Sequence, residues 1–154
     1  MGKSQEIHKV CLNGNMKRFN ELIKSSTFRV NAKDNINFTP LMCASFSGHL
    51  KMVKQLVKMD KIQINARSRN RKTALIIAAT RGHLNIVKFL LENGANPNLK
   101  QFSNSNNKSK KSCKPCKPKT ALDMSLQCHH KKVSKFLKSK KAKKVGSYKY
   151  WNHK

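Results

Sequence analysis

Acidic side chains are scarce in this chain of 154 residues, which contains six Asp and Glu residues against 34 Lys and Arg residues. The resulting formal charge of +28 at pH 7 excludes a near-neutral surface and favours an anionic partner, either an acidic protein, a nucleic acid or an anionic membrane. The excess of positive charge is densest in residues 101–154, which hold 16 of the basic residues and one of the acidic residues. A Lys- and Asn-rich composition also arises from AT-rich coding, which requires no partner. The few acids are scattered, so the carboxylate pair that general acid–base catalysis uses is not expected.

Long apolar runs are missing as well. The longest, residues 74–79, has six residues, whereas a membrane-spanning helix needs roughly 18. Residues 1–6 contain no apolar core, and Glu6 stands where a myristoylation motif has Ser or Thr, so we expect neither a signal peptide nor that lipid anchor. The five cysteines are odd in number and unevenly spaced, which favours a reducing compartment. We therefore expect the nucleus or the cytoplasm.

An internal repeat is the main positive signal. Residues 39–50, TPLMCASFSGHL, recur 34 positions later as residues 73–84, TALIIAATRGHL. A further copy begins at Thr120, which follows Thr73 by 47 residues, so about 14 residues have been inserted before it. A weaker first copy aligns Val10 with Ala44 and Gly14 with Gly48 but lacks the Thr-Pro start.

These copies resemble the ankyrin repeat, a unit of about 33 residues that consists of a β-turn and two helices and starts with Thr-Pro-Leu-His. The resemblance implies an all-α solenoid of helix-turn-helix units with short β-turn fingers. It also implies a partner-binding concave face made of the fingers and the first helices. We expect an ankyrin domain over residues 1–138, with copies near 5–34, 35–68, 69–100 and 101–138, a mobile basic insert at 101–119 and a basic tail at 139–154.

The local chemistry of the copies supports this architecture. Thr39 is a good helix N-cap, and Pro40 is favoured at the first helical position. Gly48 and Gly82 suit the left-handed turn that ends each first helix. By the resemblance, His49 and His83 are structural residues that follow this turn rather than catalytic bases.

The copies also depart from the family pattern. The His of the Thr-Pro-Leu-His start is Met42, Ile76 or Asp123, so we expect its hydrogen bonds to be absent. His129 replaces the turn glycine of the last copy, and a non-glycine residue in the left-handed region costs on the order of 1 kcal/mol. The last helix should close the solenoid with a polar face, formed by Lys131, Lys132, Ser134, Lys135 and Lys138 around Val133, Phe136 and Leu137.

A metal site is the one piece of chemistry that the cysteines suggest. Cys113 and Cys116 have the two-residue gap of a zinc-binding pair, and Cys128, His129 and His130 could complete the ligands. However, Cys116 precedes the helix that starts at Thr120, whereas Cys128 lies roughly 12 Å along it at ~1.5 Å per residue. We therefore predict no metal, no cofactor and no catalytic residue.

Two basic clusters are candidate binding sites. Arg67, Arg69, Arg71 and Lys72 lie in one finger, where the planar guanidinium groups suit carboxylates or phosphates. A run after the last copy is typical of a nuclear localisation signal or a polyanion site; it contains Lys138, Lys140, Lys141, Lys143 and Lys144. Tyr148, Tyr150 and Trp151 follow it and either stack on nucleic-acid bases or cover the end of the solenoid.

The sequence thus predicts a monomeric, non-catalytic scaffold for protein–protein interaction, with an acidic protein partner at the concave face. The alternative is a nuclear or nucleolar protein that binds nucleic acid through the basic insert and tail while the repeats serve as a spacer. A third possibility is that the four cations of the finger are exposed to solvent and bind no partner.

Overall fold

The structure, a computed structural model, describes residues 3–25, 28–102 and 118–140, in which eight helices form four consecutive pairs. Their bounds are α1 Lys3–Asn13 and α2 Met16–Ile23, α3 Pro40–Ser47 and α4 Leu50–Val57, α5 Ala74–Arg81 and α6 Leu84–Glu92, and α7 Ala121–Gln127 and α8 Lys131–Ser139. Within these ranges there is no strand, only an isolated β-bridge between Gln101 and Lys119. The predicted all-α solenoid is confirmed.

The helices form two layers. The first helix of each pair packs on the first helix of the next, so that α1, α3, α5 and α7 form an inner layer, while α4, α6 and α8 pack in sequence in an outer layer. The core lies between them and includes these fully buried side chains: Phe19, Leu41, Met52, Leu56, Leu75, Ile86, Leu90 and Leu137. One pair is too thin to bury its apolar face alone, so stability comes from stacking.

A threonine begins each inner helix of the last three pairs. The Oγ1 atoms of Thr39, Thr73 and Thr120 each accept a hydrogen bond from the backbone N–H three residues on, at 3.3–3.4 Å. At Thr120 the cap is reciprocal, because the carboxylate of Asp123 accepts from the backbone N–H of Thr120 at 2.9 Å. Asp123 therefore stabilises its own turn at the position where the family has His.

Glycine and histidine connect each pair to the one before it. Gly14, Gly48 and Gly82 all have left-handed backbone conformations at the turns that follow the first three inner helices. The Nε2–H of His49 donates to the Leu12 carbonyl at 3.0 Å, that of His83 to the Phe46 carbonyl at 3.2 Å and that of His130 to the Thr80 carbonyl at 2.9 Å. Each imidazole also covers the glycine of the preceding pair, so close that a Cβ there would lie 2.5–2.7 Å from the ring. The prediction that His49 and His83 are structural residues is confirmed.

The family histidine that is missing from later copies is present in the first. His8 lies 34 residues before Met42, is 5% exposed, and places Nε2 2.8 Å from the Phe38 carbonyl and 3.1 Å from the Ala32 carbonyl. The hydrogen bonds of the family histidine are therefore absent at Met42 and Ile76, as expected. They are present in the first copy, where His8 makes them. The first pair is tied through His8 to the turn that precedes the second.

The last pair departs from the others in two ways. His129 has a φ of 58°, which confirms that it takes the left-handed position of the missing glycine. Ser134, which was expected on the polar outer face, is instead buried, and its hydroxyl donates to the His130 carbonyl at 3.2 Å. Of the residues predicted on the polar face of α8, the four lysines are exposed, whereas the Ser134 side chain turns back onto the start of its own helix.

Replacing His129 with Gly is expected to stabilise the protein by about 0.5–1 kcal/mol, because the side chain is exposed and its left-handed conformation carries a steric cost that glycine avoids. Chemical denaturation of the two proteins measures the difference. His129→Ala is the control, since alanine keeps the steric cost and should give no gain. Equal stabilities for the Gly and Ala variants would contradict the prediction.

Two cysteines belong to this core. Cys11 and Cys43 are buried, and burial raises the pKa of the Cys43 thiol to about 12. Burial also raises the pKa of Cys11, with a further contribution from Cys43. Both thiols are therefore protonated at neutral pH and serve as small apolar side chains rather than as nucleophiles.

None of the helices in the described ranges is both long enough and apolar enough to cross a membrane.

Candidate partner-binding face

Two tight turns with the same construction project ahead of the inner helices α3 and α5. In the first finger, residues 34–38, the N–H of Asp34 donates to the Phe38 carbonyl at 3.0 Å, and in the second, residues 68–72, the N–H of Ser68 donates to the Lys72 carbonyl at 3.0 Å. The Asp34 carboxylate and the Ser68 hydroxyl accept backbone N–H groups within their own turns. The side chains at these two equivalent positions thus fix the finger shape.

The fingers are joined edge to edge by backbone hydrogen bonds. The N–H of Arg69 donates to the Ile36 carbonyl at 3.0 Å, and the N–H of Phe102 donates to the Asn70 carbonyl at 3.1 Å. The strand-like bridge between Gln101 and Lys119 continues this edge into the last pair. The fingers therefore form one continuous rank.

Three of the four predicted cations lie in the second finger and Arg67 directly precedes it, and their side chains have different roles. The guanidinium of Arg69 donates to the Asn35 carbonyl of the first finger at 2.9 Å, and the guanidinium of Arg71 lies 5.2 Å from the centre of the Phe102 ring. Arg71 also has a left-handed backbone, with a φ of 57°. The side chains of Arg67 and Lys72 make no hydrogen bond to any other described residue. The Arg71 guanidinium makes none either, so Arg67, Arg71 and Lys72 are the members whose donors are available to a partner.

Sequence reasoning missed the apolar part of this face. Within the described ranges the exposed large hydrophobic side chains are Leu12, Ile36, Phe46 and Phe102, each 37–44% exposed. Ile36 and Phe102 lie on the finger rank, whereas Leu12 and Phe46 occupy equivalent positions near the ends of α1 and α3. Thr39 directly follows the first finger, and Phe46 is seven residues further along the chain. At a rise of ~1.5 Å per residue, Phe46 lies about 10 Å from Thr39 along the axis of α3. The 34-residue register that relates Leu12 to Phe46 could have revealed the pair, because a large apolar side chain recurs at a position outside the core pattern.

A further cation belongs to the apolar part. The guanidinium carbon of Arg81 lies 3.7 Å from the centre of the Phe46 ring, which is a stacked geometry. Arg81 is exposed and is the residue of α5 that lies 34 positions after Ser47 of α3. The stack holds the Phe46 ring in place and sets a positive charge beside it.

Among the described residues, no carboxylate forms an ion pair with the finger cations. In the described part of the chain the ion pairs are those of Arg18 with Glu6 at 2.6 Å and with Glu21 at 2.8 Å, which lie in the first pair. Hydrogen bonds from Arg18 to Glu21 and Glu6 raise the pKa of the guanidinium above its ordinary value. The face formed by the fingers and by the inner helices therefore has net positive charge around apolar side chains.

Several predicted features fall outside this description. The residues outside those described include most of the insert with Cys113 and Cys116. They also include the tail with Lys141, Lys143, Lys144 and its aromatic residues. Lys138 is exposed on α8, and Lys140 follows that helix with its ammonium 5.8 Å from the Phe136 ring centre. Over the described ranges no group of three or more His, Cys, Asp and Glu side chains is placed to hold a metal ion.

Comparison with known protein families gives one match. The family model described as ankyrin repeats (3 copies) matches residues 7–101, which is more than half of the chain. The matched range begins within α1, covers the rest of the first three helix pairs and ends where the insert begins. No curated protein matches the chain. The periodicity, the helix pairs, the finger turns and this match agree, and the chain belongs to the ankyrin repeat family.

Proposed function

We propose that this protein is a non-catalytic scaffold that binds an acidic protein segment across its fingers and inner helices. Ankyrin repeats generally mediate protein–protein interactions, which supplies the class of function. The observation that carries the finer proposal is the combination of exposed apolar side chains with unneutralised cations on the inner face. Apolar and aromatic anchors surrounded by charged groups are the composition of an interface hot spot.

The partner follows from the chemistry of this face. Phe46, with Arg81 stacked on it, offers an apolar anchor beside a charge, and Phe102 with Arg71 repeats that arrangement on the fingers. Arg67 and Lys72 add donors for carboxylates. A segment that alternates apolar and acidic side chains complements such a face better than a uniformly acidic one, because the apolar groups bury surface when they bind.

The predicted alternative, nucleic-acid binding by the insert and tail, depends on residues that lie almost entirely outside those described. The same applies to a nuclear localisation signal at 138–144, which remains a proposal together with a nuclear or cytoplasmic location. A monomeric state is also part of the proposal.

The proposal is tested by affinity capture from cell extract after nuclease treatment, with bound proteins quantified for four baits. The baits are the unaltered protein, Phe46→Ala, the pair Arg67→Ala and Lys72→Ala, and the control pair Lys17→Ala and Lys24→Ala. The control pair removes the same charge from exposed positions in the first helix pair. We expect a set of proteins whose capture falls about tenfold or more with either inner-face bait and is unchanged with the control bait.

Salt separates the two predicted functions. A contact with apolar anchors should persist at moderate salt, whereas phosphate binding through many cations weakens steeply as salt rises. Loss of all captured proteins on nuclease treatment, or equal capture by all four baits, would overturn the proposed inner-face interaction.

A further inference from the structure

The outer layer presents a second positively charged surface, on the exposed sides of α4, α6 and α8. Lys51 and Lys54 of α4 and Lys58, which caps its C-terminal end, are exposed, and they share one helical face because they are spaced by three and four positions. The opposite face of α4, which includes Met52 and Val53, is buried. The same pattern places Lys88 of α6 outward, together with these residues of α8: Lys131, Lys132, Lys135 and Lys138.

Three of these lysines form a row that follows the repeat. Lys54, Lys88 and Lys135 stand at equivalent positions of successive copies, separated by 34 and 47 residues, and their helices are neighbours in the outer layer. Adjacent packed helices lie 8–10 Å apart, so this lysine row extends over roughly 20 Å.

Two of the three lysines in the row lie over aromatic rings. The ammonium of Lys54 lies 5.8 Å from the centre of the Phe89 ring in the next copy, and the ammonium of Lys88 lies 5.6 Å from the centre of the Phe136 ring in the copy after that. The interaction of an ammonium with a ring face favours this placement over a freely mobile side chain. Two successive copies therefore orient a lysine in the same way, across the boundary to the next helix.

The charge of this surface is not compensated by acidic neighbours. On the outward faces of α4, α6 and α8 the acidic residue is Glu92, and no lysine of these helices takes part in an ion pair within the described ranges. A solvated helix face usually mixes both signs, whereas this one carries a single carboxylate, Glu92, over three helices.

The surface lacks the groups that other partners require. In the part of the chain that the structure describes, the exposed large hydrophobic residues belong to the inner face and the fingers, so the outer helices offer no apolar anchor for a protein partner or for insertion between lipids. Phe89 and Phe136 are half-buried beneath ammonium groups, which leaves no open ring on which an unpaired base could stack. What remains is a regular array of point charges, which suits the phosphates of a double helix.

We propose that the lysine row, flanked by Lys51, Lys132 and Lys138, binds duplex nucleic acid through its phosphates and without regard to base sequence. About 20 Å of duplex carries on the order of a dozen phosphates, enough to meet the row and its flanks at once. Phosphate contacts position a protein on a duplex but read no sequence. This function is independent of the inner face, so the repeats would be a two-sided adaptor rather than a spacer between basic segments.

The test compares two full-length triple variants that lose the same charge. The row variant carries Lys54→Gln, Lys88→Gln and Lys135→Gln, and the control variant carries Lys9→Gln, Lys24→Gln and Lys33→Gln at exposed positions before the second helix pair. Binding of a short random-sequence DNA duplex and of an RNA duplex is measured by fluorescence anisotropy over a range of salt concentrations. Vesicles of phosphatidylcholine with phosphatidylserine are the third probe.

We expect the row variant to bind both duplexes about a hundredfold more weakly at about 0.1 M salt, and the slope of log affinity against log salt to fall in magnitude by about 3. The control variant should lose far less. A third protein with Lys→Arg at all three row positions keeps the charge and should bind like the unaltered chain. Chemical denaturation of every variant separates a loss of binding from a loss of folding.

Equal losses in the row and control variants would overturn the proposal, because the affinity would then depend on net charge alone. Unchanged duplex binding by the row variant would overturn it as well. So would a loss confined to vesicle binding, which would assign the lysine row to a membrane surface.

Discussion

Gly48→Ala is expected to lower the free energy of unfolding by about 2 kcal/mol. The residue has a left-handed φ of 84°, which costs alanine about 1 kcal/mol, and its new Cβ would lie 2.7 Å from Cε1 of His83. The imidazole must move, which weakens its 3.2 Å hydrogen bond to the Phe46 carbonyl and adds about 1 kcal/mol. Chemical denaturation followed by circular dichroism measures the loss.

Gly94 provides the matched control. Its φ is 89°, but no atom lies within 4 Å of an added Cβ, so Gly94→Ala should show the backbone cost alone, about 1 kcal/mol. In a His83→Ala background the effect of Gly48→Ala should also shrink to about that value, because the clashing ring is gone. Equal costs for the two glycine substitutions in the unaltered background would show that the imidazole does not depend on Gly48.

Leu90→Ala is expected to destabilise the protein by about 2–5 kcal/mol, since Leu90 is fully buried in α6 and its truncation leaves a cavity. The effect should spread through the array. Helix α6 packs against α5 and against α4 and α8 on either side, so weakening it uncouples both neighbours. Denaturation monitored by amide hydrogen exchange should show reduced protection in the second, third and fourth pairs together.

Leu137→Ala in the last pair tests whether a destabilised pair opens by itself or whether all four pairs open together. Leu137 is equally buried, but α8 has an outer-layer neighbour on one side only within the described ranges. We expect the last pair to lose protection while the first three keep theirs. Uniform loss over all four pairs would instead identify the array as a single cooperative unit.

The fold could be predicted because its signals are local and repeated. Thr39 and Thr73 mark helix starts, Gly48 and Gly82 mark helix ends, and both sets recur at the same interval. Even the exception at His129 was predictable, because the register identifies which residue must take the left-handed conformation. The role of His8 is contained in the same register, since His8 lies 34 residues before Met42. The signal is weaker there because the first copy lacks the Thr-Pro start.

The candidate site could be predicted only in part. The cluster from Arg67 to Lys72 is contiguous and therefore visible in the sequence, yet the hydrogen bond from Arg69 to Asn35 and the position of Arg71 beside Phe102 depend on fingers meeting edge to edge. Exposure of Phe46 is likewise a tertiary property, because it follows from which side of α3 the neighbouring helices leave open. Residues that are distant in sequence and meet only after stacking carry no one-dimensional signature.

The bridge between Gln101 and Lys119 bears on how this protein could change over evolution or by engineering. Its two backbone hydrogen bonds, at 2.8 and 3.0 Å, fix the points where the chain leaves the finger rank and rejoins it. The entropic cost of closing a loop grows only slowly with its length. The stretch between these anchors is therefore a tolerant insertion point, where a tag, a reporter or a different recognition sequence could be exchanged while α7 keeps its register on α5.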